Sequence, residues 1–547
     1  MFGAFGAGLS SDAHRPGDRP MNGAESLVTT LAASGVDVCF ANPGTSEMHF
    51  VAALDRWPGV RCVLGMFEGV VTGAADGYYR IARKPAATLL HLGPGFGNGL
   101  ANLHNARKAR SGIVNVVGDH AVAHARFDAP LHSDIDGIVR PVSHWVRRSL
   151  RARDVAADAA DAVRATRFGA SGRIATLILP ADAAWNDAGD AGTASARDDD
   201  EGVDLPAFSS QGVDTIARQL EAAPADTLLL LGAGATSVRA QRLAGAIATR
   251  TGCRVMLEFY NASLPVGAGL PGFERIAYSV DASLAQLKGV RHLVLAGATN
   301  PVAFFAYPGK PSLIAPPGCA VSTLALPEED AGAAIEALAD ALGVAPGAAD
   351  TAAALPAAPS RGAGVGPDDW VLENIGRVIA ELLPEDAIVV DESVSSGRHF
   401  APHLRRAARH TLLQTMGGAI GYGLPGATGA AVAAGGRQVV ALTGDGSAMY
   451  TLQSLWTMAR ESLQVAVIVF ANRSYRILQG ELAGVGATIG GDKARAMLSL
   501  DGPALDWLAI AKGHGVDARR ATDLASLRKA LGGAIAGRGP CLIEVVL

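Results

Sequence analysis

Between Gly444 and Tyr475 the chain reads GDGSAMYTLQSLWTMARESLQVAVIVFANRSY. One apolar run feeds Gly-Asp-Gly, a second ends on Ala-Asn-Arg-Ser, and 27 residues separate Asp445 from Asn472. If the two runs are neighbouring parallel strands joined by a helix, both side chains leave the carboxyl end of the sheet, where α/β sheets bind their ligands. A carboxylate, a carboxamide oxygen and a backbone carbonyl such as that of Ser474 form a hard oxygen set. Magnesium suits that set and keeps further positions for water and phosphate oxygens. Gly444 and Gly446 allow close backbone approach, and a helix expected to start near Tyr450 would offer free amides to a diphosphate. Taken singly, Gly-Asp-Gly is a turn and Asn472 a helix cap. Together, in a strand-turn-helix-strand context, they read as a metal-diphosphate clamp.

The elements that must position this clamp follow from composition and pattern. At 547 residues the chain exceeds the roughly 250–300 residues at which single cores stop growing, so several domains are expected. The formal net charge of -5 gives no basic field for nucleic acid. Five scattered cysteines without a C-x-x-C pair suggest neither a disulfide framework nor a thiolate metal site, and they suit a reducing cytoplasm. No run of about 18 apolar residues offers a membrane span. Residues 1–20 read as a disordered tail. Two stretches rich in Ala, Gly, Pro and Asp, around 186–204 and 344–367, read as exposed linkers. They leave segments at 21–185, 205–343 and 368–547. Each alternates short apolar strands with amphipathic helical stretches, which predicts an α/β chain of three doubly wound parallel-sheet domains.

With GDG, the 27-residue spacing and Asn472 in that context, the sequence resembles the thiamine diphosphate enzymes, within them the acetolactate synthase and benzoylformate decarboxylase group. The resemblance runs from about Met21 to Leu547 and implies the order pyrimidine-binding, middle and diphosphate-binding domain. Where the family has an Asn pair, this chain has Ala471-Asn472; the second position is the one that matches the metal ligand. Asp445, Asn472 and Ser474 are thereby implied to hold Mg2+, and Gly444, Gly446 and Ser447 to lie along the diphosphate. The cofactor needs a carboxylate on its pyrimidine ring nitrogen. Glu68, in VLGMFEGVVTGAADGYYR, matches that glutamate, although alone it would read as a first-turn acid complementing a helix dipole. In MGGAIGYGLPGATGA, Ile420 matches the bulky residue that supports the bent cofactor, Gly418 and Met416 flank it, and Ser393 in DESVSSG approaches the diphosphate side.

Other matches bear on the reaction. His91, expected at a strand end before a glycine-rich turn, stands where benzoylformate decarboxylase-like enzymes have a histidine and acetolactate synthases a glutamine. It suits proton transfer near neutrality. Thr45 in ANPGTSEMHF corresponds to a serine that contacts substrate carboxylate, or else caps a helix. The family's second histidine is replaced by Leu270, and His120, His124 and His132 are alternative donors or plain surface residues. In the middle segment GAGATS has Ser237 where a third glycine belongs, with Glu258 as the acid of a dinucleotide fold, so FAD is not expected. The resemblance implies decarboxylation of a 2-oxo acid with carboligation as an option. An acetolactate synthase-type transferase and a non-catalytic homologue are the alternatives. It also implies a homodimer or homotetramer with active sites shared between subunits.

Overall fold

The computed structural model describes residues 20–547 except 197–207, 346, 355, 358, 360, 361, 363 and 488–490. The tail expected at 1–20 lies outside the described residues save for its last position, as does part of the first linker. Three sheets dominate. The first has six parallel strands in the order Arg61–Leu64, Val38–Asn42, Ala86–Leu90, Ile113–Asp119, Ile174–Pro180 and Trp145–Arg148. The second has four parallel strands, Arg254–Leu257, Thr227–Leu231, His292–Ala296 and Ala320–Ala325. The third runs Leu264–Val266, His410–Gln414, Ile388–Glu392, Val439–Gly444, Val465–Ala471, Cys541–Val546 and Asp517–Ala521.

The central strands are largely apolar because helices cover both faces, and Ile113–Asp119, Ile174–Pro180 and Val465–Ala471 are buried at every position, while the edge strands Trp145–Arg148 and Asp517–Ala521 carry arginines. Among the described residues no helix is long and apolar enough to cross a membrane. One strand departs from the expected pattern. Leu264–Val266 belongs by sequence to the middle segment, yet it pairs antiparallel with His410–Gln414 at the edge of the third sheet. The linkers are also less free than their composition suggests. Ala194 and Ala196 donate their N–H groups to Thr30 and Ser34, Arg242 donates to the Ala349 carbonyl, and Ala353 bridges Gly269.

Two places in this topology matter for ligands. In the first sheet the strand order reverses between Val38–Asn42 and Ala86–Leu90, so the segments leaving those strands, Pro43–Glu47 and His91, flank a switch-point crevice. In the third sheet it reverses between Ile388–Glu392 and Val439–Gly444, which places Ser393 and Asp445 at the equivalent crevice.

The first and third sheets are joined by a close helix crossing. Helix Glu68–Ala82 packs on helix Gly423–Ala433, with glycines where the backbones meet. A Cβ at Gly77 would overlap the Gly426 backbone, and one at Gly429 would overlap the Ala74 carbonyl oxygen. Beside the crossing Arg80, fully buried, pairs with Asp76 at 2.6 Å, donates to the Gln414 carbonyl at 2.6 Å and stacks on the Tyr422 ring. Overpacking such a contact costs about 1–3 kcal/mol. Gly429→Ala is therefore expected to lower the melting temperature clearly in a thermal scan. Gly532→Ala, at a helical site with open space around its added Cβ, is expected to leave it unchanged or raise it slightly.

Candidate active site

At the switch point of the first sheet, strand Ala86–Leu90 ends and His91 precedes helix Leu92–Lys108. The glycine-rich stretch expected as a turn is the opening of that helix. Pro94 fits there because an N–H in the first turn has no helical partner to lose. His91 Nδ1 lies 2.8 Å from Glu47 Oε2, which also accepts the Gly44 N–H at 2.8 Å. Glu47 is buried, its other oxygen has no partner, and burial pushes its pKa up against the opposing pull of His91. An ionised Glu47 keeps the proton on Nδ1 and leaves Nε2 to exchange one. Glu47 was hidden in the sequence: spaced three residues from Gly44 it reads as a capping acid, and it does cap, through the oxygen that also holds His91. Gly44 is the cap residue of that turn; Thr45 is exposed at its start and makes no side-chain hydrogen bond among the described residues.

Glu68 opens helix Glu68–Ala82 and is buried, its Oε2 accepting from Asn98 Nδ2 at 3.0 Å. Gly95 lies between it and His91: an added Cβ would stand 2.9 Å from Glu68 Oε1 and 3.3 Å from the His91 Cβ. Asn102 donates to the Gly69 carbonyl at 2.8 Å and to the Gly421 carbonyl at 3.2 Å. One side chain thus ties the start of the Glu68 helix to the loop that carries Met416, Gly418 and Ile420. Asn105 adds a bond to the Ala419 carbonyl at 2.8 Å. Gly418 has φ +72° and packs under the Phe304 ring, while Met416 and Ile420 are half-buried.

Beneath this loop lies a carboxylate that the sequence did not single out. Glu392 ends strand Ile388–Glu392 and accepts the N–H groups of Gly421, Tyr422 and Gly423 at 2.8, 2.9 and 2.9 Å, with Thr443 Oγ1 at 3.3 Å. Burial raises its pKa to about 7 in spite of those donors. Its neighbour Ser393 is buried and donates its hydroxyl to Asp391, so that group is engaged inside its own turn.

Asp445 follows strand Val439–Gly444 directly and is itself the first residue of a short helix, Asp445–Ala448. The helical turn therefore begins five residues before the expected Tyr450. Asp445 is buried; its oxygens accept from Gly446 N at 2.8 Å and Arg473 N at 2.7 Å, and burial pushes its pKa up. Gly444 pairs with Phe470 across adjacent parallel strands, so Asp445 and Asn472 emerge side by side. Asn472 Oδ1 accepts the Ser474 N–H at 3.0 Å. Each of these oxygens keeps a lone pair, and a buried carboxylate that forms no side-chain ion pair among the described residues, with Arg473 acting on it only through its backbone N–H and a weak charge effect, belongs to a donor set that fits Mg2+. At Gly446 the N–H is spent on Asp445 and the Tyr475 ring occupies the Cβ position; Ser447, buried in the first turn, remains for a phosphate oxygen. Tyr450 abuts Gly421, and Thr451 donates to the Gly421 carbonyl at 3.0 Å. The Asp445 turn and the Ile420 loop therefore share one wall.

Other singled-out residues fall elsewhere. His120 stacks near His124 and His132, with ring centroids 5.4 and 6.3 Å apart, at the end of the strand next to that of His91. Ser237 caps helix Val238–Thr251. Glu258 packs on Gly232 and accepts from Thr299 N and Oγ1 at 2.7 and 2.8 Å, so the acid that a dinucleotide fold turns to a ribose is engaged. Leu270 is buried in a cavity between the middle segment and the third sheet.

Comparison with known proteins bears on the family and the fold. Residues 21–138 match the family "Thiamine pyrophosphate enzyme, N-terminal TPP binding domain", and residues 395–545 match its C-terminal TPP binding domain. A Mycobacterium tuberculosis protein provisionally named acetolactate synthase large subunit IlvX is 50% identical, across 96% of this chain and 99% of its own length. The benzoylformate decarboxylase of Pseudomonas aeruginosa is 28% identical across 94% and 97%. The fold is shared with the Rhodococcus jostii thiamine diphosphate-dependent 4-hydroxybenzoylformate decarboxylase, with a TM-score of 0.79 and 24% identity over 96% of this chain and 98% of that one.

Glu392 gives the site a pH signature. A carboxyl whose folded pKa is raised binds more protons folded than unfolded, so ionising it costs stability as pH climbs from its ordinary 4.5 through about 7. The cost is at most about 3 kcal/mol. Across that window the melting temperature of the wild-type chain should fall more steeply than that of Glu392→Gln, as followed by circular dichroism.

Proposed function

Because the chain belongs to the thiamine pyrophosphate enzyme family, we propose that it decarboxylates a 2-oxo acid with thiamine diphosphate and Mg2+, with carboligation to a second carbonyl as a further outcome. The observation that carries the reading is His91 held by buried Glu47 one residue's width from Glu68. When bound, the cofactor supplies a nucleophilic carbon and an acceptor for the electron pair released with carbon dioxide. In this proposal Asp445, Asn472 and the Ser474 carbonyl hold the metal. Ser447, with Gly444 and Gly446 leaving room, borders the diphosphate, and Ser393 lines the same crevice with its backbone. Ile420, Gly418 and Met416 form the surface against the pyrimidine.

Glu68 holds the proton shared with the pyrimidine ring. His91, its Nδ1 fixed by Glu47, delivers or removes a proton at Nε2 near the reacting carbon. The Thr45 hydroxyl, exposed and without a hydrogen-bond partner among the described residues, donates to the substrate carboxylate in this reading. The segments 21–185, 205–343 and 368–547 act as pyrimidine-binding, middle and diphosphate-binding domains. A two-fold dimer, alone or doubled, would share its active sites between subunits. Met66, Phe127, Met449 and Tyr450, large exposed apolar residues near the site, support a covering subunit. The relative provisionally named an acetolactate synthase favours a second reading, an acetolactate synthase-type transferase.

Proton NMR of the cofactor-loaded protein with pyruvate, a branched-chain 2-oxo acid or benzoylformate separates these readings. Cofactor-dependent aldehyde is expected from at least one; acetolactate from pyruvate would assign the transferase, and turnover of none would remove the decarboxylase reading. In the same assay Glu68→Gln is expected to lower kcat by about 10²–10⁴-fold with cofactor still bound. Asp445→Ala is expected to abolish Mg-dependent cofactor binding in calorimetry.

A further inference from the structure

A cavity of about 50 Å³ lies between the middle segment and the third sheet, lined by none of Glu47, Glu68, His91, Asp445 or Asn472. Its walls are apolar: Leu257, Leu264, Leu270, Phe273, Phe400 and Leu412. Two guanidinium groups, Arg275 and Arg405, enter the same space. Neither forms a side-chain hydrogen bond or ion pair among the described residues, and Arg405 Nε is buried without a partner. Burial lowers the pKa of Arg275, with Asp391 pulling the other way and Arg405 adding to the repulsion. Among the described residues Asp391 is the only carboxylate lining the cavity, it forms no ion pair, and its Oδ1 is engaged by Ser393.

Among the described residues, two cations against one anion give this partly open, largely apolar space a net positive charge. A half-buried guanidinium without a close anionic partner is held partly out of water at a cost, and the unmade hydrogen bond of the buried Arg405 Nε adds to it. We propose that this cavity is a binding site for a small amphipathic carboxylate, its charge bridging Arg275 and Arg405 and its short tail lying on the leucine and phenylalanine wall. The volume holds roughly four water-sized groups, which limits the ligand to a carboxylate with about three to five carbons. Guanidinium forks match carboxylate geometry, and the apolar walls select against a bare inorganic anion. An occupant would touch Asp391, the residue before Glu392, and strand Leu264–Val266, which joins the third sheet. The ligand therefore sits against the elements that hold the Ile420 loop.

Isothermal calorimetry of the full chain tests this with isovalerate, isovaleramide and inorganic phosphate, each with and without thiamine diphosphate and Mg2+. Isovalerate should bind at one site per chain whether or not the cofactor is present, while the amide and phosphate bind at least about tenfold more weakly. Arg275→Gln and Arg405→Gln should each weaken isovalerate by about tenfold or more and leave thiamine diphosphate affinity unchanged. Equal binding of acid and amide, equal binding of phosphate, unchanged affinity in both variants, or no saturable binding would overturn the proposal. Binding that appears only with the cofactor would place isovalerate in the catalytic centre and overturn it too. The comparison of acid with amide on the wild-type chain decides the matter even if either variant fails to fold.

Discussion

The glycine-lined crossing of helix Glu68–Ala82 on helix Gly423–Ala433 fixes the distance on which the candidate site depends. With side chains at Gly77 and Gly429 the backbones could not approach, and the start of the Glu68 helix would stand off from the Gly421 loop. Close approach lets Asn102 reach carbonyls on both sides, a contact that needs a separation of one carboxamide. The buried Asp76–Arg80 pair sits at the same crossing, satisfied by Ser111, the Gln414 carbonyl and the Tyr422 ring. Breaking one partner of such a pair leaves an uncompensated charge, so the network favours one geometry over nearby alternatives.

From that crossing, chemistry is arranged by three buried carboxylates with different surroundings. Glu47 has an imidazole and one N–H, Glu392 has three backbone N–H donors and a hydroxyl, and Asp445 has two backbone N–H donors. Burial raises the pKa of all three, and the partners pull the other way. Their surroundings set what each holds: Glu47 fixes the His91 ring, Glu392 gathers the N–H groups of a loop, and Asp445 stands at a strand end beside Asn472. Strand order places them, because each lies at or beside a switch point where the following segments diverge and leave a crevice.

Much of this was legible in the chain itself. Fully apolar strands ending in glycine or acid announce parallel sheets covered on both faces, since only such strands need no polar alternation. The Asp445 to Asn472 spacing followed from one strand-helix-strand return, a local geometry that sequence separation constrains. Helix starts were less legible: Tyr450 was expected and Asp445 found, because the residue that ends a strand can also open a helix without any intervening turn residues. Glu68 and His91 were readable through their motif context; their company was not. The resemblance set Ser393 on the diphosphate side, yet the structure spends its hydroxyl on Asp391 and gives the prominent place to Glu392.

By itself, then, the sequence determined the α/β class, the covered parallel sheets and the side-by-side exit of Asp445 and Asn472 from neighbouring strands, because each is set by periodicity or by spacing within one supersecondary unit. Tertiary structure alone decided the pairing of Glu47 with His91, the loop-gathering role of Glu392, the seating of Leu264–Val266 in a foreign sheet and the meeting of Arg275 with Arg405. These contacts join residues from 29 to 130 or more positions apart, or depend on which oxygen of one carboxylate faces which neighbour. No local pattern encodes such distances; they exist only once the helices have crossed and the sheets have closed.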